Sequence, residues 1–138
     1  MRDLPRQLSV EELAELFSGR TAFVDRLAEL EDPLGRAREV ARTLTPQEKV
    51  EALAAHPRIG ERSPEQHGDE PVVRAELWAL NCAYEDKFGF RFIVFVNRRS
   101  RRELIPVLRE RLRQTPEDEV ETAFDELVEI AKDRWSQQ

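Results

Sequence analysis

The sequence predicts an all-α fold, a compact multi-helix domain with one extended segment, on three observations. Helix-start signatures recur along the chain, an apolar stripe of helical period follows each of them, and one short run alone has β-type composition. Ser9-x-x-Glu12, Thr45-Pro46-Gln47-Glu48 and Ser100-x-x-Glu103 place a hydroxyl three residues before a carboxylate. At that spacing each side chain bonds a free amide of the other residue, which nucleates a helix N-terminus. Pro46 falls at the first helical position, where its missing N–H costs nothing. Asp32-Pro33, Thr115-Pro116-Glu117 and Ser63-Pro64-Glu65 repeat the cap, proline and acid theme.

The elements follow in order. Val10, Leu13 and Phe17 form the first stripe, and Phe23, Leu27 and Leu30 the second. Ala37, Val40 and Leu44 form the third, followed by Val50 and Leu53. Val73, Leu77, Leu80 and Tyr84 mark a longer helix, Leu104, Leu108 and Leu112 another, and Val120, Phe124, Leu127 and Ala131 the last. Pro106 should kink the helix through Leu104 or delay its start, because it lacks the amide that the fourth preceding carbonyl needs. The exception is Phe90-Arg91-Phe92-Ile93-Val94-Phe95-Val96, which is a strand by propensity but has no evident partner strand. Its main-chain groups therefore need loops, water or a ligand to satisfy them.

Composition narrows the function. The 138 residues suit one domain, 1–138, with no internal repeat or linker. Charged residues make up 36% and hydrophobic ones 40%, and no apolar run approaches a membrane span. Met1-Arg2-Asp3-Leu4-Pro5 has no apolar leader core, so the expected location is cytoplasmic. A single cysteine, Cys82, excludes an internal disulfide and a thiolate metal cage, and its neighbours suggest a buried, inert thiol. The net charge of −6 argues against nucleic acid as the main partner. Arg98-Arg99-Ser100-Arg101-Arg102 is the local exception and reads as a solvated helix entrance.

Three charges are candidates for chemistry. Pro57 disfavours helical backbone at His56, so the helix through Leu53 should end there. The negative helix end would raise the imidazole pKa and make His56 a proton donor near neutral pH; it would equally make His56 a simple capping cation. Glu65 sits in a first helical turn, where a carboxylate complements the dipole whether or not it does chemistry. Arg134 lies at the edge of the last apolar stripe, placed either to grip a carboxylate or to serve as a last-turn cation with a snorkelling stem. His56 and His67 lack helical i,i+4 spacing and a cysteine set, so no metal site is expected. Neither a glycine-rich phosphate loop nor a recognisable Schiff-base lysine is present, so no cofactor is expected.

Taken as an ordered set, His56-Pro57-x-x-Gly60, Glu65-Gln66, Leu80-Asn81-x-x-Tyr84, Phe88-Gly89-Phe90-x-Phe92-Ile93 and Arg134 resemble the OHCU decarboxylases. That family acts on 2-oxo-4-hydroxy-4-carboxy-5-ureidoimidazoline (OHCU) in urate breakdown. The resemblance covers most of the chain from about Leu44 onward. It implies an all-α domain, often a homodimer, acting on a small molecule without a cofactor, with urate oxidase and hydroxyisourate hydrolase as pathway neighbours. It implies catalytic roles for His56, Glu65 and Arg134, and a pocket shaped by Pro57 and Gln66. Residues 90–96 would line that pocket, with main-chain groups of Phe92, Ile93 and Val94 bonding the substrate. The sequence departs from the family in a short stretch between Gly60 and Glu65, in Arg62 one place before Ser63, and in Arg91 where a proline is common. Those departures motivate the alternative, a non-catalytic helical interaction module derived from the same fold.

Overall fold

A computed structural model describes residues 7–57 and 71–137. Among the described residues there are seven helices and no strand: α1 (Val10–Leu16), α2 (Ala22–Leu27), α3 (Pro33–Thr43), α4 (Pro46–Ala54), α5 (Pro71–Phe88), α6 (Arg101–Arg111) and α7 (Pro116–Ser136). The starts follow the sequence signals closely. Ser9, Thr45 and Ser100 each form the full capping box with Glu12, Glu48 and Glu103. Asp32 and Thr115 cap α3 and α7 ahead of Pro33 and Pro116. Each such cap contributes about 1 kcal/mol by satisfying amides that have no intrahelical partner.

α7 is the longest helix, and α1, α3 and α4 pack against it, while α2 packs against α1, α3 and α4. α5 pairs with α6, and the extended segment between them runs into one continuous buried cluster with the rest. Leu13, Phe23, Leu27, Leu53, Leu104, Leu108 and Leu127 are completely buried, so truncating any of these leucines to alanine costs about 2–5 kcal/mol. Edge-to-face contacts link Phe23 to Phe17 at 5.1 Å and to Phe124 at 5.3 Å, tying α2 to α1 and α7.

Four local expectations change. Cys82 is exposed, because the buried stripe of α5 runs Val73, Leu77, Asn81 and Tyr84 and leaves Cys82 turned outward. Asn81, not Leu80, occupies the buried position, and its Nδ2 donates to the Leu77 carbonyl at 3.0 Å. Val50 is exposed, and Ala52 with Leu53 forms the inner face of α4. α6 starts on its Ser100 cap with Pro106 inside it, so the proline does not delay the helix.

Residues 91–96 are extended but join no β-ladder. Side chains replace the missing strand. Arg111 on α6 donates to the Ile93 carbonyl, Glu126 on α7 accepts from the Phe95 amide at 3.1 Å, and Arg99 donates to the Phe95 and Val96 carbonyls at 2.7 and 3.1 Å. Asn97 and Arg98 both adopt positive φ, 49° and 65°, and Arg99 N–H closes the turn onto Val96 at 3.0 Å. Beneath the segment, buried Arg111 pairs with buried Glu119, its Nε 2.8 Å from Oε2, and stacks over the Phe92 ring at 4.7 Å. Tyr84 donates to the same carboxylate oxygen, and Gln114 to the other at 3.1 Å. Burial, reinforced by the Glu119 hydrogen bond, pushes the Tyr84 phenol well above its usual pKa, so the tyrosine stays a donor at any physiological pH.

Candidate functional site

The site assembles where two helices end. α4 stops at Ala54, and His56 follows its C-cap, Ala55, half-buried. α1 stops at Leu16, and Gly19 brings the two ends together: a Cβ there would sit 3.3 Å from the Ala55 Cβ, so the backbone approach favours glycine. Each helix end presents carbonyls without intrahelical partners, and each is met by an arginine from elsewhere in the chain. Arg91, at the start of the extended segment, donates through Nη1 to the carbonyls of Ala54 at 2.9 Å and His56 at 3.0 Å. Arg134, in the last turn of α7, donates through Nη1 to the carbonyl of Leu16 at 2.9 Å and to Ser18 Oγ at 2.8 Å. Ser18 Oγ in turn lies 3.5 Å from His56 Nδ1.

Burial and these two guanidiniums together reverse the expectation for His56. Burial first, then the charge of Arg134, then that of Arg91, lower its pKa from 6.5 to about 4. The imidazole is therefore neutral at neutral pH, neither a capping cation nor a ready acid. The negative end of α4 does exist, but Arg91 answers it, which leaves the imidazole to feel the cations and the loss of solvent. Burial also lowers the pKa of Arg134, while Asp133 acts in the opposite sense. A guanidinium nevertheless stays charged in proteins, and it only donates hydrogen bonds.

Of the predicted site residues, the structure brings His56 and Arg134 together through Ser18, and Pro57 follows His56 in the chain. Arg91 fixes the start of the extended segment, and with it neighbouring Phe92, at the end of α4. Phe92, Ile93 and Val94 are buried, with their side chains in the core. The Ile93 carbonyl is taken by Arg111, whereas the main-chain groups of Phe92 and Val94 find no partner among the described residues. Glu65 and Gln66 lie outside the described residues. Two members of the cluster were not singled out as site residues. Ser18 gives no chemical signal beyond standing where a helix-ending glycine is usual, and Arg91 is visible only as a departure from the family pattern.

A separate groove between α3, α4 and α7 contains none of these residues. Its charged rim is closed by ion pairs of Arg38 with Asp125 at 2.8 Å and with Glu129 at 3.2 Å, and of Arg42 with Glu121 at 3.2 Å. Exposed pairs of this kind contribute little to stability or to selective binding.

Comparison with known proteins points to one family. The profile of the OHCU decarboxylase family matches residues 3–136. Over 97 residues the chain is 32% identical to a 2-oxo-4-hydroxy-4-carboxy-5-ureidoimidazoline decarboxylase of Halalkalicoccus jeotgali, covering 62% of this chain and 55% of that protein. Over 105 residues it is 28% identical to the uric acid degradation bifunctional protein of Bacillus sp. (strain TB-90), covering 67% of this chain and 21% of that one. The chain thus spans about half of one curated relative and a fifth of the other. Among solved structures, an OHCU decarboxylase crystallised in the presence of (S)-allantoin superposes with a TM-score of 0.75 at 26% identity, over 91% of this chain and 96% of that one. An (S)-allantoin synthase shares the fold, with a TM-score of 0.71 at 21% identity over 91% of this chain and 47% of that one.

Proposed function

Because this chain belongs to the OHCU decarboxylase family, we propose that it converts OHCU to S-allantoin in urate catabolism without a cofactor, His56 acting as general acid–base. The observation that supports this best is the neutral, half-buried His56 flanked by Arg91 and Arg134.

The chemistry needs little more. The carboxylate C–C bond breaks, CO2 leaves, and the electron pair is delocalised into the neighbouring C=N and carbonyl groups of the ring. A substrate with that built-in sink needs orientation, charge stabilisation and one proton delivered to one face. Arg134 commits Nη1 to Leu16 and Ser18, and its remaining N–H groups would hold an anionic substrate group. An anion seated against the cations would offset their part of the pKa depression, the smaller part beside burial, and so would favour a proton on His56 as substrate binds. That proton forms the new C–H bond, and His56 regains one from water.

Glu65 would accept from ureido or ring N–H groups, Gln66 and Pro57 would shape the pocket, and Phe92, Ile93 and Val94 would bond the substrate through their backbone. We place the enzyme in the cytoplasm as one domain over 1–138, beside urate oxidase and hydroxyisourate hydrolase in the same sequence of reactions. No helix among the described residues is long and apolar enough to cross a membrane. A homodimer would form through the outer face of α5, where Val72, Trp78 and Cys82 are exposed on one side of the helix.

The test is to add the purified protein to freshly generated OHCU and follow allantoin by circular dichroism. Accelerated formation of the S enantiomer is expected. Racemic product at the spontaneous rate would leave the chain a non-catalytic helical module.

A further inference from the structure

Ser18 occupies a backbone conformation that a serine seldom takes. α1 ends in a Schellman-type turn: Phe17 is the C-cap, Ser18 follows at φ 67°, and Gly19 N–H bonds the Ala14 carbonyl at 2.8 Å. Glycine fills that left-handed position in most such turns, because a Cβ there is disfavoured. Here the serine is kept, and its side chain reaches the centre of the site.

The bonding roles around that hydroxyl start from what Arg134 can do. Arg134 Nη1 can only donate, so Ser18 Oγ accepts at 2.8 Å. The hydroxyl proton is then free to point elsewhere, and the acceptor facing it is His56 Nδ1 at 3.5 Å. A neutral imidazole has one N–H and one acceptor nitrogen, so a proton donated to Nδ1 leaves the ring hydrogen on Nε2. We infer that Ser18 is a positioning residue of this site: held by Arg134, its hydroxyl selects the Nε2–H tautomer of His56 and fixes the ring for the reacting carbon. The contact is long, so its role is to choose a tautomer and an orientation rather than to bind strongly. The strained serine is thus a site residue acting through His56, and its importance for turnover rests on the decarboxylase reading above.

Ser18→Gly tests this without endangering the fold, since glycine suits the left-handed position. Two-bond 1H–15N correlation spectra of the imidazoles at neutral pH, assigned with His56→Gln, should show Nε2–H in the wild type. In Ser18→Gly the ring should shift toward a mixture of tautomers. Turnover should fall about 10- to 100-fold, the range typical when a hydrogen bond orienting a functional histidine is lost, with no fall in melting temperature. An unchanged Nε2–H tautomer in Ser18→Gly would overturn the assignment, and so would a changed tautomer with unchanged turnover. A wild type that shows the tautomer shift on mutation yet never turns over OHCU would leave Ser18 as the tautomer selector and remove the decarboxylase reading instead.

Discussion

Arg91 Nη1 donates to the carbonyl of His56 at 3.0 Å, so a side chain from the extended segment holds the backbone of that histidine. The same nitrogen reaches the Ala54 carbonyl, which makes Arg91 the C-terminal cap of α4. Its charge also lies among the causes that lower the His56 pKa, behind burial and Arg134. The position where the family commonly has proline therefore performs two tasks here.

Arg91→Ala should raise the His56 pKa above its value of about 4 and loosen the end of α4, at a cost of about 1 kcal/mol in stability. An NMR titration of the His56 ring protons measures the first effect. A pKa that stays put on removal of the charge would show that burial and Arg134 set it without Arg91.

Acid stability should carry the signature of a histidine held neutral. The folded pKa of His56 is depressed, so above its ordinary 6.5 neither the folded nor the unfolded chain is protonated there. As pH falls from 6.5 toward 4 the unfolded chain takes up the proton first, and stability drops across that window. The loss amounts to about 2–3 kcal/mol for a ring that is only partly exposed. His56→Gln lacks this contribution, so denaturant unfolding at several pH values should show wild type losing stability relative to the variant between those limits. A difference independent of pH would contradict the lowered pKa.

Activity should separate the roles of His56 and Arg134. His56→Asn is expected to fold and to lose about 10²- to 10⁴-fold in kcat, as for loss of a general acid–base. Arg134→Ala should raise KM by about tenfold or more, the equivalent of one charge-assisted hydrogen bond. It should also lower the melting temperature, because the Leu16 carbonyl and Ser18 lose their partner. Equal losses in kcat and none in KM would move Arg134 from binding to chemistry.

The buried network should grade its members. Glu119→Ala strands Arg111 and is expected to cost about 3–5 kcal/mol, whereas Tyr84→Phe leaves the ion pair intact and should cost about 1 kcal/mol. Urea midpoints at unchanged slope give both values, and the reverse order would mean that the phenol, not the ion pair, anchors the network.

Trp78 is 63% exposed and Val72 73% exposed on the outer face of α5, a large apolar display for a single helix. Sedimentation should find a dimer, and Trp78→Glu should give a folded monomer. A monomeric wild type would reject the α5 interface.

The helices were legible because their signals are local: a cap, a proline and a stripe need no knowledge of the rest of the chain. The three capping boxes illustrate this, each closing as its spacing requires. His56 and Arg134 could be singled out in the sequence, but Ser18, Arg91 and the electrostatics of the cluster could not. A helix end beside His56 is readable from Pro57, but Arg91 lies 35 residues away and Arg134 farther still. Only the fold shows that they surround the imidazole and invert its tendency. Cys82 failed for a simpler reason: neighbouring apolar letters do not say which way a helix turns them.

The way residues 90–96 are satisfied has a further consequence. Its composition is that of a segment able to stack with copies of itself, aromatic and β-branched with a single charge and no proline. In the native chain four of its hydrogen-bonding groups are occupied by Arg111, Glu126 and Arg99, and Phe90, Phe92, Ile93 and Val94 are buried, so less of it is presented to a second molecule. Those four bonds come from residues that follow it in the sequence, Arg99 in the turn before α6, Arg111 on α6 and Glu126 on α7. While the chain is being made, or whenever α6 and α7 detach, the same seven residues become its principal aggregation hazard.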